Sequence, residues 1–287
     1  MRLFLFFLSV FSLSLFVACD IINPEEEIPA YIASDSAVLV TNYDLQGSNA
    51  HNISDAWIYV DGKLVGVFEM PFSIPVLAAG TKSVVIQAGI KNNGVAASRV
   101  VYPFYTKYTI DTTLTPGEVL RLTPQFEYQD VNFVVKEDFE DLGIVFAVSA
   151  QSDTSINLVS GNEAFEGNSM FFALDSVRDV FECRSTDLYE LPYGKNVFLE
   201  MTFKNNDYFT FGVFARKYNG GTDVEVRVPI ITFNPTDTYK TIYISLANAI
   251  TSNSQAYDFR LYYTCTHSDE SLNDTTRVFI DNVKLIY

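Results

Sequence analysis

Thiols, imidazoles and carboxylates are where this sequence could do chemistry, and their spacing removes most of the options. The chain holds two histidines, His51 and His267, and three cysteines, Cys19, Cys183 and Cys265. Thr264-Cys265-Thr266-His267-Ser268-Asp269 brings a thiol, an imidazole and a carboxylate within a few positions. Adjacent strand residues point to opposite faces, however, and a Cys-His nucleophile pair is normally assembled from distant segments. The segment therefore reads as a core cysteine beside a loop histidine. No Cys or His pair has zinc spacing, and no glycine loop is shaped to cradle phosphate. With 35 Asp and Glu, a glycosidase pair would be recognised only by its separation in space. A non-catalytic protein is the expectation.

Cys183 and Cys265 share the alternation of apolar neighbours, Phe181 with the first and Phe259, Leu261 and Tyr263 with the second, which places both in a core. Two readings stay open. A disulfide would close a long loop, worth roughly 4 kcal/mol in the chain-entropy model. The alternative is two buried free thiols.

What must position these residues is β-structure. Ala56-Trp57-Ile58-Tyr59-Val60, Asp61-Gly62 and Lys63-Leu64-Val65-Gly66-Val67-Phe68 spell a hairpin, since Asp-Gly supplies the positive φ angles of a two-residue turn. Further runs over 83–90, 95–102, 105–111 and 118–123 are parted by turn residues and suggest a small sandwich over 36–128. Val197, Leu199, Met201 and Phe203 alternate with Phe198, Glu200, Thr202 and Lys204, as in a half-buried strand. Phe209, Phe211 and Val213 repeat the scheme in the next run, and more runs follow to Tyr287. A unit of this length over 129–287 suggests a jelly roll, so the fold expected is all-β, a small β-sandwich followed by a larger one.

Composition narrows the partners. The 19 Lys and Arg stand against 35 Asp and Glu, a net charge of −16. Nucleic acid is excluded, because binding it needs a basic footprint that displaces counterions. Anionic lipid headgroups are disfavoured for the same reason, so membrane attachment would have to come from acyl chains.

Arg2, an apolar run to Val17, and Ala18 before Cys19 read as a secretory signal over 1–18. The run is too short, and too interrupted by serine, for the about 20 apolar residues that span a bilayer. Its ending resembles the lipobox of bacterial lipoproteins, with Phe16 where that family usually has leucine. The resemblance implies cleavage before Cys19 and acylation of its thiol. Residues 19–35, with Pro24, Pro29 and Glu25-Glu26-Glu27, read as an extended acidic tether. Acidic residues there resemble the signal that sends some Gram-negative lipoproteins to the outer face of the outer membrane. Asp20 directly after the cysteine also matches an inner-membrane retention signal. The surface address is preferred here.

The stretch 57–90 resembles the PEGA and carboxypeptidase-regulatory-like modules of surface proteins. Glu137-Asp138-Phe139-Glu140, Gly167-Asn168-Ser169-Met170 and Val278 to Leu285 resemble galactose-binding-like and carbohydrate-binding jelly rolls. That resemblance implies a structural calcium ion held by Glu140, Asp281 and the Gly167-Asn168 turn. Alternation with Phe279, Val283 and Leu285 puts Asp281 in the core-facing row, where a carboxylate needs a partner. Calcium, an arginine, or a bulge turning it outward would each serve. A glycan would meet the rows opposite the core, for which Tyr208, Phe214, Arg216, Tyr243, Arg260 and Tyr262 are the candidates. Sugars stack their apolar faces on aromatic rings while planar polar groups fix their hydroxyls. Against this, the one tryptophan, Trp57, lies in the first unit. The alternative is a structural subunit whose β units dock an envelope protein.

Overall fold

The computed structural model describes residues 26–287. Cys19, the apolar run before it and the start of the tether lie outside the described residues. The first unit runs through β1 (Ala30–Ser34), β2 (Val38–Val40), a short helix α1 (Tyr43–Gln46), β3 (Asp55–Val60), β4 (Lys63–Glu69), β5 (Phe72–Val76), β6 (Gly80–Lys91), β7 (Arg99–Val101), β8 (Lys107–Leu114), β9 (Val119–Arg121) and β10 (Gln125–Glu127). Asp61 and Gly62 join β3 to β4 with φ of 49° and 77°, the left-handed pair that a two-residue hairpin uses. One sheet is β4-β3-β6, with β7 and β8 both on β6. Against it lie β5-β1-β9 and the pair β10-β2, in which β1 runs parallel to β9 and β2 parallel to β10. Ile32, Leu39, Ile58, Ile86 and Phe126 fill the space between. Strand β1 falls inside the stretch read as tether. Ala30 and Ile32 are buried in this core, so the extended lead ends before Ala30 and not at residue 35.

The second unit comprises β11 (Phe133–Glu137), β12 (Phe146–Val148), β13 (Asn157–Ser160), β14 (Asn168–Leu174), β15 (Val180–Ser185), β16 (Phe198–Asn205), β17 (Phe209–Asn219), β18 (Thr222–Phe233), β19 (Thr236–Ser245), a helix α2 (Ala247–Ser252), β20 (Asp258–Thr266) and β21 (Thr276–Ile286). Its strands make a jelly-roll sandwich of two sheets, β13-β14-β21-β16-β19 and β12-β15-β20-β17-β18, with β11 added beside β14 on β21. Leu199, Met201, Phe211, Val213, Leu261 and Val278 meet in the core between them.

Strand β21 overturns one expectation. Val278 and Ile280 face the core, Phe279 lies on the outer side against Phe171, and Val283 and Leu285 face the core again. The parity flips because Asn282 takes φ 49° at a register shift between β16 and β21. Asp281 therefore shares the outer row with Phe279. A bulge has re-aimed it, as bulges do.

The two units share buried surface. Phe198, Tyr243 and Ile286 project from the six-stranded sheet into the core of the first unit, where Tyr102 packs edge-on against Phe198 at 5.2 Å. Strand β16 is thus buried on both faces and not on one. Among the described residues no helix is long and apolar enough to cross a membrane.

Candidate functional site

One sheet of the jelly roll is covered by the first unit; the other, β12-β15-β20-β17-β18, keeps its outer face. Register builds a grid there. Phe214 on β17 stands between Arg227 on β18 and Arg260 on β20, and Arg216 stands between Glu225 and Asp258. Tyr262 on β20 stands between Gly212 on β17 and Arg184 on β15. A Cβ at Gly212 would come within 2.5 Å of the Tyr262 hydroxyl, so only glycine lets that ring lie down across β17.

The rings are layered with guanidinium groups. Arg184 lies 4.1 Å over Phe214, and Arg227 lies 4.5 Å over Tyr262, with the two rings 4.8 Å apart. Cation–π attraction and flat stacking both favour this arrangement. Glu182 holds the layer from below. Its buried carboxylate accepts from Arg184 at 2.8 Å and from Arg227 at 2.7 Å, while Arg184 also reaches Glu225 at 3.2 Å. Burial pushes the Asp258 carboxyl up, and Arg216 and Arg260 pull it back. Arg216 Nε lies 3.0 Å from Asp258 Oδ1 but is poorly aligned, leaving both atoms without a good hydrogen bond. Arg260 Nε, 3.9 Å from Glu225 Oε1, and the Tyr262 hydroxyl are also buried without a hydrogen bond. Of seven such side-chain atoms among the described residues, four belong to this face. Buried polar atoms are normally paired, and here Arg216 Nε and Asp258 Oδ1 are held together as an ion pair without a well-aligned hydrogen bond.

The structure brings Phe214, Arg216, Arg260 and Tyr262 together, but Tyr262, 0% exposed, and Phe214, 5% exposed, lie beneath Arg227 and Arg184, so the outer layer is guanidinium and not the open aromatic rows expected. Tyr208 precedes β17, half exposed, and its carbonyl accepts the Cys265 thiol at 3.1 Å. Tyr243 is corrected outright. It lies on the other sheet, 1% exposed, with its hydroxyl 3.1 Å from that of Tyr105 in the first unit. Alternation marked it as facing away from its own core but not what would cover it. Sequence reasoning missed Glu182, Arg184, Glu225 and Arg227. The signal existed for the first two, which alternate with core Phe181 and Cys183. Trp57 lies on the outer face of the first unit, its indole against Gly89.

Cys183 and Cys265 are buried free thiols, and no disulfide joins them. Cys183 pairs with Tyr263 and Cys265 with Phe181, so they stand diagonally across β15 and β20 and not opposite each other. His267 is buried, its Nδ1 3.0 Å from the Thr276 hydroxyl, which also lies 3.0 Å from Asp207 Oδ2.

The residues expected to hold calcium gather at one corner. Glu140 accepts from the backbone and side chain of Asn168 and occupies the space a Cβ at Gly167 would need. Asp281, 1% exposed, accepts from Ser169 Oγ at 2.8 Å, Glu166 N at 3.3 Å and Asn282 N at 2.7 Å. Burial pushes its carboxyl up to about 7. No arginine or lysine pairs with it among the described residues. The oxygen chemistry suits calcium. The N–H and O–H donors already present would have to be exchanged for the ion, and no three acidic, thiol or imidazole side chains cluster there.

No family model and no curated protein matches the sequence. Solved structures similar to it include the CBM22-1-GH10 modules of a Clostridium thermocellum endo-1,4-beta-D-xylanase complexed with xylohexaose, at 18% identity and TM-score 0.38, covering 55% of this chain and 29% of that one. The family 11 carbohydrate-binding module from Clostridium thermocellum, in complex with a beta-1,3-1,4-mixed-linked tetrasaccharide, is similar at 18% identity and TM-score 0.35, over 54% of this chain and 94% of that one. A CBM28 module specific for non-crystalline cellulose is similar at 16% identity and TM-score 0.36, over 54% and 94%. The chain spans less than a third of the xylanase structure's length.

Proposed function

We propose that this is a non-catalytic carbohydrate-binding protein of the bacterial envelope, carried at the outer membrane by acyl chains on Cys19, with the free face of the jelly roll as its glycan site. The observation that carries this reading is the layer of Arg184 over Phe214 and Arg227 over Tyr262, both guanidinium groups held by Glu182. Guanidinium planes fixed on rings, with the Glu225 carboxylate beside them, offer donors and an acceptor to vicinal hydroxyls. Calcium belongs to the proposal as a structural ion at the Glu140 and Asp281 corner, where it would neutralise a buried carboxylate.

A glycan array probed with a soluble chain from Glu26 onward tests the reading, since that boundary keeps β1 whole. Binding that disappears in Arg184→Ala supports it. A chain that binds no glycan at millimolar concentration while co-purifying with an envelope protein would replace it by the docking alternative.

A further inference from the structure

A cavity of about 820 Å³ opens between the two units, away from the grid of Phe214 and Tyr262. Small-ligand sites run from about 300 to 1,000 Å³. Its walls are the edge strand β19, the Asn234-Pro235 link from β18, and the turn that follows β6. That turn is fixed in place. Asn93 N donates to the Tyr243 carbonyl at 2.9 Å, and Asn93 Oδ1 accepts from Ser245 N at 2.8 Å. Gly94, at φ +67°, lies so near Ile242 that a Cβ would come to 3.0 Å.

The lining departs from the rest of the chain. Against 35 Asp and Glu overall, none of the residues lining this cavity is acidic, and two are lysines, Lys91 and Lys240. Glu69 holds Lys91 at 3.0 Å. Lys240 is exposed and has no ion pair among the described residues. Asn234 and Thr232 add neutral polar groups, and Val95 and Pro235 add apolar surface. A ligand matched to this wall carries hydroxyls, a C–H face and a negative charge.

We propose that the cavity binds an acidic saccharide, with a uronic-acid carboxylate received by Lys240. The inference rests on the chain being a carbohydrate binder but concerns a second site. A strongly acidic protein repels polyanions at long range, so an anionic sugar is held only where the lining itself carries no carboxylate.

The test titrates the soluble chain with trigalacturonate and with its methyl ester, which keeps the shape and removes the charge. The acid should bind at least about 10-fold more tightly than the ester, the scale of one charge-assisted hydrogen bond. Lys240→Glu should abolish that preference with an unchanged melting temperature, because the side chain is exposed. Val95→Trp should fill the mouth and block both sugars. Arg227→Ala, on the sheet face, should leave trigalacturonate binding intact. Equal affinity for acid and ester, or indifference to Lys240→Glu, overturns the inference. Loss in Arg227→Ala but not in Lys240→Glu would overturn it while upholding the sheet face. Absence of binding by any saccharide would remove both.

Discussion

Glu200 and Lys284 are cross-strand partners on β16 and β21, each 2% exposed, and the hydroxyl of Tyr128 stands between them. Glu200 accepts from Tyr102 at 2.5 Å and from Tyr128 at 2.6 Å. Lys284 Nζ donates to the Ser48 carbonyl at 2.6 Å and lies 3.3 Å from the Tyr128 hydroxyl. Both tyrosines and the serine belong to the first unit, so this cluster fastens the two units together. Burial pushes the Glu200 carboxyl up and the Lys284 ammonium down, and each charge partly restores the other.

Removing one member should cost more than removing both. Glu200→Ala strands a buried ammonium and two hydroxyls and is expected to destabilise by about 3–5 kcal/mol. The double variant Glu200→Met with Lys284→Met should lose clearly less than the sum of the single ones. Urea denaturation in a double-mutant cycle measures the coupling. Additive losses below about 1 kcal/mol would mean the cluster does not join the units.

Asp281 makes stability depend on pH in the direction opposite to a salt-bridged carboxylate. Its folded value of about 7 exceeds the ordinary 3.8, so between these the folded state holds the extra proton and stability falls as pH rises through the window. Above the folded value both states are ionised and the loss is complete. Glu200 is shifted the same way, so the informative quantity is the difference between wild type and Asp281→Asn. The variant should lose less melting temperature from pH 4 to pH 7. Added calcium should restore wild type at neutral pH and leave Asp281→Asn unmoved. Parallel pH curves for the two proteins would show that Asp281 ionises freely.

On the sheet face, Arg227→Ala should weaken glycan binding about 10-fold or more, because it removes a stacked guanidinium that also bonds Glu182. Arg184→Ala should weaken it likewise, because it removes the guanidinium over Phe214 and its bond to Glu182. Isothermal titration against whichever glycan the array selects reads both. Unchanged affinity in the two variants would move the site elsewhere.

Cys183 and Cys265 should behave as two silent thiols. Burial holds both in the protonated form, Cys265 pushed up to about 12. A thiol reagent is expected to find neither in the folded protein and both after denaturation without reductant. Fewer than two titrated thiols would indicate a disulfide.

The sequence carried the alternation of each strand, and that was enough to place Leu199, Met201, Phe211 and Val213 in a core. The Asp61-Gly62 turn was legible for the same reason, since a two-residue rule needs no tertiary knowledge. What alternation cannot state is what covers the opposite row. Phe198, Glu200 and Tyr243 look like surface residues until a second unit is laid on them. Nor can it see one left-handed residue. Asn282 reverses the parity of β21, and every inference drawn across it, Asp281 in the core row included, inherits the error. At the site, the aromatic row on β17 and β20 was readable, whereas its arginine partners came from β15 and β18, which only sheet order brings alongside.

The parallel pairing in the first unit has a mechanical consequence. The chain enters at β1 and β2 and leaves for the second unit after β9 and β10, and these strands pair parallel, β1 with β9 and β2 with β10. A pull between the lead before Ala30 and the jelly roll drags the members of each pair in opposite directions along their length. Their hydrogen bonds run across the strands, so the load falls on all of them together and does not peel them one at a time. A protein held at one end and gripping a polymer at the other would resist flow by shear.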